Sequence, residues 1–502
     1  MTITYPNQVE RWGVFEVALP GRSDGNPFTD YTIRGTFTGA QETVVADGFY
    51  DGQGVYRVRF MPSFTGAYRF KVEGSFCGEA AEGSFDVTPA TGNNHGPVRV
   101  SHVYHLAYED ATPYYSVGTT CYAFMHQPLQ RQQQTLRNLE GTFNKIRFCV
   151  FPKHYDYNFR DPITFPYEGT PCDNTGMNKE NFSTYKPDNP GNHWDFTRFN
   201  PAHFQLLEQR VQDLMDRGIE ADIIVMHPYD RWGFSIMKPE EDDLYWNYLV
   251  ARLAAYRNVW WSLANEYDLM PAKTLADWER YAAILCEKDP YRHLRSIHNC
   301  RHFYDYSRPW VTHCSIQRME NVEPVTNTGA WRQRYHKPVV VDEMCYEGDI
   351  EHAWGNISAR ELVYRFWTVT IRGGYAGHGE TFADPDSILW WSHGGELHGE
   401  SPARLRFLHQ MLSEIPGPGL MPCPEDRFAA TVEGTWDRSY LLYYYGLQQP
   451  RYKRFYFDDN TRYHVELIDT WNMVVEDMGI HSGRFQIDMP AREYMAMRIR
   501  KA

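Results

Sequence analysis

Hydrophobic positions in the first ninety residues come in short alternating runs. Trp12 to Ala18, Tyr31 to Thr36, Val55 to Phe60 and Ala67 to Glu73 carry β-branched and aromatic residues. Turn chemistry separates them: Asp24-Gly25-Asn26-Pro27, Asp51-Gly52 and Thr65-Gly66. Short strands punctuated this way predict an antiparallel β-sandwich over residues 1–90. Thr91-Gly92-Asn93-Asn94-His95-Gly96-Pro97 reads as its exit linker.

The pattern then changes to alternating strands and helices. Eight apolar runs predict strands: Tyr115 to Thr119, Lys145 to Phe151, Ala221 to Met226, Val259 to Leu263, Leu294 to Ile297, Val311 to Ile316, Val339 to Val341 and Tyr375 to Gly377. Helical periodicity lies between most of them, as in Phe204 to Asp216, Leu244 to Tyr256 and Leu275 to Glu287. Another helix opens with the capping-box pattern Ser358-Ala-Arg-Glu361 and stops at Gly373-Gly374, and Ala403 to Glu414 closes the series. Eight such units over residues 97–416 predict a (β/α)8 TIM barrel. Two irregularities stand out. The link from the fifth strand to the sixth is too short for a full helix and two loops. The loop from His154 to Asp195 is long and rich in Pro, Gly, Asn and Asp, the texture of a substrate lid or subsite wall. Residues 417–502 return to strands, from Ala429 to Glu433, Tyr440 to Tyr445, Tyr463 to Asp469, Arg484 to Met489 and Tyr494 to Ile499, and predict a second small antiparallel β-sandwich.

A length of 502 residues agrees with several domains. The net charge of −14, with no Lys/Arg-rich stripe, argues against a nucleic-acid partner. No apolar run is long enough to span a bilayer, so no membrane partner is expected. The N-terminus has neither a basic nor an apolar leader segment, which favours a cytoplasmic location. Nine cysteines occur without a CxxC pair; Cys121, Cys149, Cys300, Cys314 and Cys345 lie in or beside apolar runs and read as buried free thiols. A homo-oligomer is left open. Aromatic residues make up 16% of the chain, a content that suits both sandwich cores and the apolar faces of sugars.

The chemistry concentrates at two strand ends. Val259-Trp-Trp-Ser-Leu-Ala-Asn265-Glu266 is an apolar run ending in an amide and a carboxylate. Lys337-Pro-Val-Val-Val-Asp342-Glu343-Met344 is another ending in a carboxylate. These are strands four and seven, and barrel enzymes place catalytic groups at such ends. A carboxylate pair facing across a barrel mouth can cleave a glycosidic bond with retention: one attacks the anomeric carbon and the other protonates the leaving oxygen. Asn265 is placed to donate to the neighbouring sugar hydroxyl. Arg147, if it points inward, needs a carboxylate or substrate partner.

An Asn-Glu ending strand four with a Glu ending strand seven resembles the signature of the clan A glycoside hydrolases. Within that clan the chain is most similar to the family-5-like and apiosidase-like bacterial proteins flanked by two β-domains. Val9-Glu-Arg-Trp12-Gly-Val-Phe-Glu16 and Ile468-Asp-Thr-Trp471-Asn-Met473 resemble those accessory domains. The resemblance implies Glu266 as acid/base, Glu343 as nucleophile, Asn265 as ligand of the 2-hydroxyl and Arg147 beside the nucleophile, with a carbohydrate substrate and no cofactor or metal. Where the clan often carries a strand-eight Trp, this chain has Gly377-His378-Gly379-Glu380-Thr381, which resembles the apiosidase-like group and makes His378 and Glu380 further candidates.

His227, His298 and His313 also fall at predicted strand ends, as substrate contacts or as core residues. Trp390 and Trp391 follow strand eight, where Trp391 is a candidate to stack on a sugar. Glu347 lies close enough to Glu343 to exchange roles with it. Two other readings compete. One is a carbohydrate-binding protein on a non-catalytic barrel; the other is a metal-dependent hydrolase built on His227, His298 and His313, although the short spacing of a dedicated zinc site is missing.

Overall fold

The computed structural model describes residues 3–320, 323–383, 387–432 and 439–502, with backbone alone at 323 and 324. Glu433, the last residue of one expected strand, lies outside them. The central barrel strands are β1 (Val117–Thr120), β2 (Lys145–Cys149), β3 (Glu220–Met226), β4 (Val259–Ala264), β5 (Arg295–Ser296), β6 (Cys314–Gln317), β7 (Val339–Glu343) and β8 (Tyr375–His378). Every neighbouring pair is parallel, in the order β5-β4-β3-β2-β1-β8-β7-β6. All residues of β2, β3, β4 and β7 are buried. Burial on both faces explains their continuous apolar runs in place of alternation.

The barrel is nearly closed. Between β5 and β6 the only pairing is one parallel bridge, His298 to Ser315. The connection there carries no helix, as its length requires. Elsewhere the outer layer is α1 (Leu129–Leu139), α2 (Pro201–Asp216), α3 (Pro239–Leu253), α4 (Leu275–Lys288), α5 (Thr328–Tyr335), α6 (Ala359–Ile371) and α7 (Ser401–Ser413). At the start of α6, Ser358 accepts the Glu361 amide at 3.2 Å. The reciprocal half of the expected capping box is missing, because Arg365 engages the Glu361 carboxylate. Gly373, at φ +74°, turns the chain out of α6 in a conformation that favours glycine.

The N-terminal region forms a five-stranded and a three-stranded sheet. It departs from a purely antiparallel sandwich, since Gln8–Glu10 pairs in parallel with Ala81–Thr88. A buried charge network docks it on the barrel: Arg59 donates to Glu208 of α2 at 3.0 Å, and Arg252 of α3 donates to Asp51 at 2.7 Å. The C-terminal region is a six-stranded sheet over a two-stranded ribbon. Two of its strands, Tyr452–Tyr456 and Val474–His481, escape a hydrophobicity reading because they are largely exposed. Arg360 of α6 and Arg404 of α7 clasp Trp471, at 4.2 and 4.1 Å from its ring centroid. All nine cysteines are free; Cys300 is only half-buried, unlike Cys121, Cys149, Cys314 and Cys345. Among the described residues no helix is long and apolar enough to cross a membrane.

Candidate active site

Asn265 and Glu266 leave the C-terminal end of β4. Glu266 adopts a left-handed backbone, φ +50°, a strain of about 1–3 kcal/mol that clusters at functional sites. Its carboxylate and that of Glu343, the last residue of β7, line one cavity of about 210 Å³. A hydrogen-bonded chain joins them. Arg147 of β2 donates to Glu343 Oε1 at 3.1 Å and to Asn265 Oδ1 at 3.1 Å. Asn265 Nδ2 donates in turn to Glu266 Oε2 at 3.3 Å. The Tyr229 hydroxyl donates to Glu266 Oε2, and the Tyr122 hydroxyl to Glu343 Oε1. His298 Nε2 lies 3.3 Å from Glu343 Oε1.

A charged layer inside the barrel holds these donors in place. Lys145 Nζ bridges Asp222 and Asp342 at 2.7 Å each. Ser315 Oγ donates to Asp342 at 2.6 Å and meets His298 Nδ1 at 3.0 Å. Arg147 Nε also lies 3.7 and 3.9 Å from these two aspartates, while its terminal nitrogens reach Glu343 and Asn265.

The environments of the two glutamates push them apart. Burial and the negative charge of Glu343 raise the Glu266 carboxyl above the usual carboxylate range, against the Tyr229 hydroxyl and the Lys153 ammonium. Burial alone would raise Glu343 too. His298, Arg147 and Tyr122 outweigh it and hold Glu343 well below that range. Two carboxyls biased in opposite directions are what separate acid and nucleophile roles require.

Aromatic rings, including Tyr155, Trp354 and Trp391, form much of the cavity wall. Lys153 is buried beneath them, its Nζ at 3.5 Å from the Tyr122 centroid, 4.2 Å from Tyr229 and 4.4 Å from Trp391. Among the described residues it has no hydrogen bond or ion pair, and burial lowers it to about 8. A larger hollow, about 590 Å³, lies where the N-terminal sandwich meets α3. It is open to solvent, and its Arg34, Asp47 and Lys288 pair with one another.

A family model described as "Apiosidase-like, catalytic domain" matches residues 101–419. The chain is an apiosidase-like glycoside hydrolase. Its flanks match two domain families of unknown function, DUF5060 over residues 8–75 and DUF5605 over residues 428–500. The chain is similar over 99% of its length to the whole of a crystal structure from Bacteroides vulgatus ATCC 8482, solved as a candidate glycoside hydrolase, with 36% identity and a TM-score of 0.90. A glycoside hydrolase family 5 structure from the same strain matches at 15% identity and TM-score 0.58, covering 81% of this chain and 94% of that one, a likeness of fold. Comparison with curated proteins returns no match.

Of the residues singled out from sequence, the apiosidase-like barrel brings Glu266, Glu343, Asn265, Arg147, His298 and Trp391 together. Others lie elsewhere. His227 Nε2 bonds to the Phe151 carbonyl at 3.1 Å, off the cavity wall. His313 packs edge-on against Trp260 at 5.3 Å. His378 stacks on Phe143 at 4.7 Å, and Glu380 accepts the His398 amide. Trp390 donates to Thr119 at 2.8 Å and packs rather than lines the cavity. Glu347 accepts the amides of Glu400 and Ser401 at 2.8 and 3.0 Å, which occupies it at the start of α7. The three histidines of the metal-hydrolase reading belong to no convergent ligand group among the described residues. The long loop after β2 contributes Tyr155 to the wall, while Tyr157 and Asn158 line an adjoining hollow of about 270 Å³.

The residues missed from sequence are Tyr122, Lys153, Tyr229 and Tyr346. The first three follow β1, β2 and β3 within four residues. The strand-end rule that found Glu266, applied to every strand, reaches them.

Proposed function

We propose that this enzyme is a retaining glycosidase working by double displacement, with Glu343 as nucleophile and Glu266 as acid/base. The observation that carries the reading is the opposite bias of two carboxyls on one small cavity, raised at Glu266 and lowered at Glu343. Glu343 attacks the anomeric carbon while Glu266 gives its proton to the departing oxygen. Water then attacks the glycosyl-enzyme, its proton passing to Glu266, and the Glu343 carboxylate is released. The second hydrogen of Asn265 Nδ2 is available to the sugar 2-hydroxyl. Arg147 and Tyr122 stabilise the nucleophile before attack and follow its charge as the ester forms.

A cavity of about 210 Å³ has room for one sugar ring rather than a chain. That size supports action on the terminal residue of plant or microbial oligosaccharides. The test is the anomeric configuration of the first product, followed by proton NMR over a panel of aryl pyranosides and furanosides, a branched pentofuranoside included. Retention on any member supports the two-glutamate mechanism and identifies the sugar. Inversion would show that the second carboxylate activates water instead.

A further inference from the structure

A second cluster of titratable side chains lies behind the catalytic wall. His378 and Glu380 are two residues apart on extended backbone, so their side chains leave on the same face. Glu347 pairs with Glu380 in a short parallel ladder beside β8. One ligand atom from each of Glu347, His378 and Glu380 lies within 4.8 Å of the others, and all three residues are buried. The catalytic arrangement uses none of them.

Their remaining bonds orient the group. His378 Nδ1 is held by Thr119 Oγ1 at 2.9 Å. Glu347 is held by the amides of Glu400 and Ser401, and Glu380 Oε1 by that of His398. His378 Nε2 and Glu380 Oε2 have no partner among the described residues, on side chains 0% and 1% exposed. Buried ligand atoms without partners beside a second carboxylate are costly unless a cation joins them.

We infer that Glu347, His378 and Glu380 bind a divalent metal ion that braces the wall of the catalytic pocket. One imidazole and two carboxylates suit zinc or manganese better than calcium, which takes oxygen ligands. Thr119 and the three amides supply the outer bonds that hold such ligands in position. The brace reaches the pocket through Tyr346, the neighbour of Glu347 and part of the cavity wall. Gly379, between His378 and Glu380, lies against that ring, and a Cβ there would sit 2.1 Å from it. The ion therefore ties together the end of β8, the segment following Glu343 and the start of α7. This holds whether or not Glu266 and Glu343 divide their roles as proposed.

The rival arrangement is a proton held on Glu380, which burial pushes up to about 7. The experiment is elemental analysis of the full chain, freed of any histidine tag, before and after EDTA dialysis, with melting curves in EDTA and with added ZnCl2 or MnCl2. The expected result is about one equivalent of zinc or manganese per chain, a fall of about 5 °C or more in Tm on chelation, and recovery on adding the metal back. Glu380→Gln and His378→Gln lose the metal. Glu380→Gln keeps the shape of a protonated carboxyl, so it separates the two arrangements. The inference is overturned by a metal-free protein whose Tm ignores both EDTA and added metal and whose Glu380→Gln variant melts with the parent. Metal retained by both variants would overturn it equally.

Discussion

Tyr229→Phe removes one oxygen and leaves the ring that packs over Lys153. Its effect on Glu266 follows from the geometry. The hydroxyl donates to Glu266 Oε2, which Asn265 Nδ2 also reaches at 3.3 Å. A hydrogen bond to a charged group contributes about 1.5–3 kcal/mol, and one pKa unit corresponds to about 1.4 kcal/mol. Losing a donor that favours the ionised form therefore raises Glu266 further, by about one to two units at most. Asn265 and Lys153 remain and hold the shift to the lower part of that range. An acid must be protonated to work, so the alkaline limb of kcat/KM, which reports the free enzyme, moves upward by that amount. The assay is a pH profile of kcat/KM on whichever aryl glycoside is cleaved, for parent and variant. Tyr122→Phe is the companion measurement. It removes a donor from Glu343, so the acid limb moves upward instead, by less, because Arg147 and His298 stay in place. An alkaline limb that stays put or moves down in a well-folded Tyr229→Phe protein would refute Glu266 as the acid.

Three further outcomes are expected. Glu266→Gln lowers kcat by about 10²–10⁴-fold without changing the melting curve, while Glu343→Ala with azide yields a glycosyl azide of inverted configuration; a retained azide from that variant would place the nucleophile elsewhere. Lys153→Met removes a buried ammonium that has ring faces but no hydrogen bond or ion pair among the described residues, so Tm holds or rises while kcat/KM falls by about tenfold or more through the charge lost from the cavity wall; a falling Tm with unchanged kinetics would make Lys153 purely structural. Asp342→Asn leaves Lys145 with one carboxylate in place of two and costs about 3–5 kcal/mol, read as a drop in urea midpoint. Lys145, Arg147 and His298 hold Asp342 below its usual 3.8 despite burial, so its contribution is present above that pH and is lost only as pH falls through the lower folded value.

The barrel was legible because each strand is covered on both faces. Val259 to Leu263 and Val339 to Val341 read as strands from their apolar runs alone, and Gly373-Gly374 marked the end of the helix before β8. The short link after β5 told in advance of a missing helix. The exposed strands Tyr452–Tyr456 and Val474–His481 were not legible, since neither carries the apolar face that makes a strand visible. The parallel pairing of Gln8–Glu10 was equally hidden, because it joins residues more than seventy positions apart.

For the site, the sequence by itself determined which carboxylates end β4 and β7, since the two apolar runs stop there and barrel enzymes place catalytic groups at such strand ends. It also put Asn265 next to one of them and Arg147 on a strand where it had to find a partner. Tertiary structure decided the rest. His227, His298, His313 and His378 look equivalent at their strand ends, yet only His298 meets Glu343, because the gap between β5 and β6 lets its ring reach Gln317 and Ser315. Glu347 and Glu343 are four residues apart, and backbone amides at the start of α7 claim the former. Tyr122, Tyr229 and Lys153 acquire meaning only together, as a ring of aromatic faces around one ammonium. Periodicity records which side of an element is buried. It does not record which buried groups from distant strands share the same few ångströms, and that proximity sets the pKa values and the chemistry.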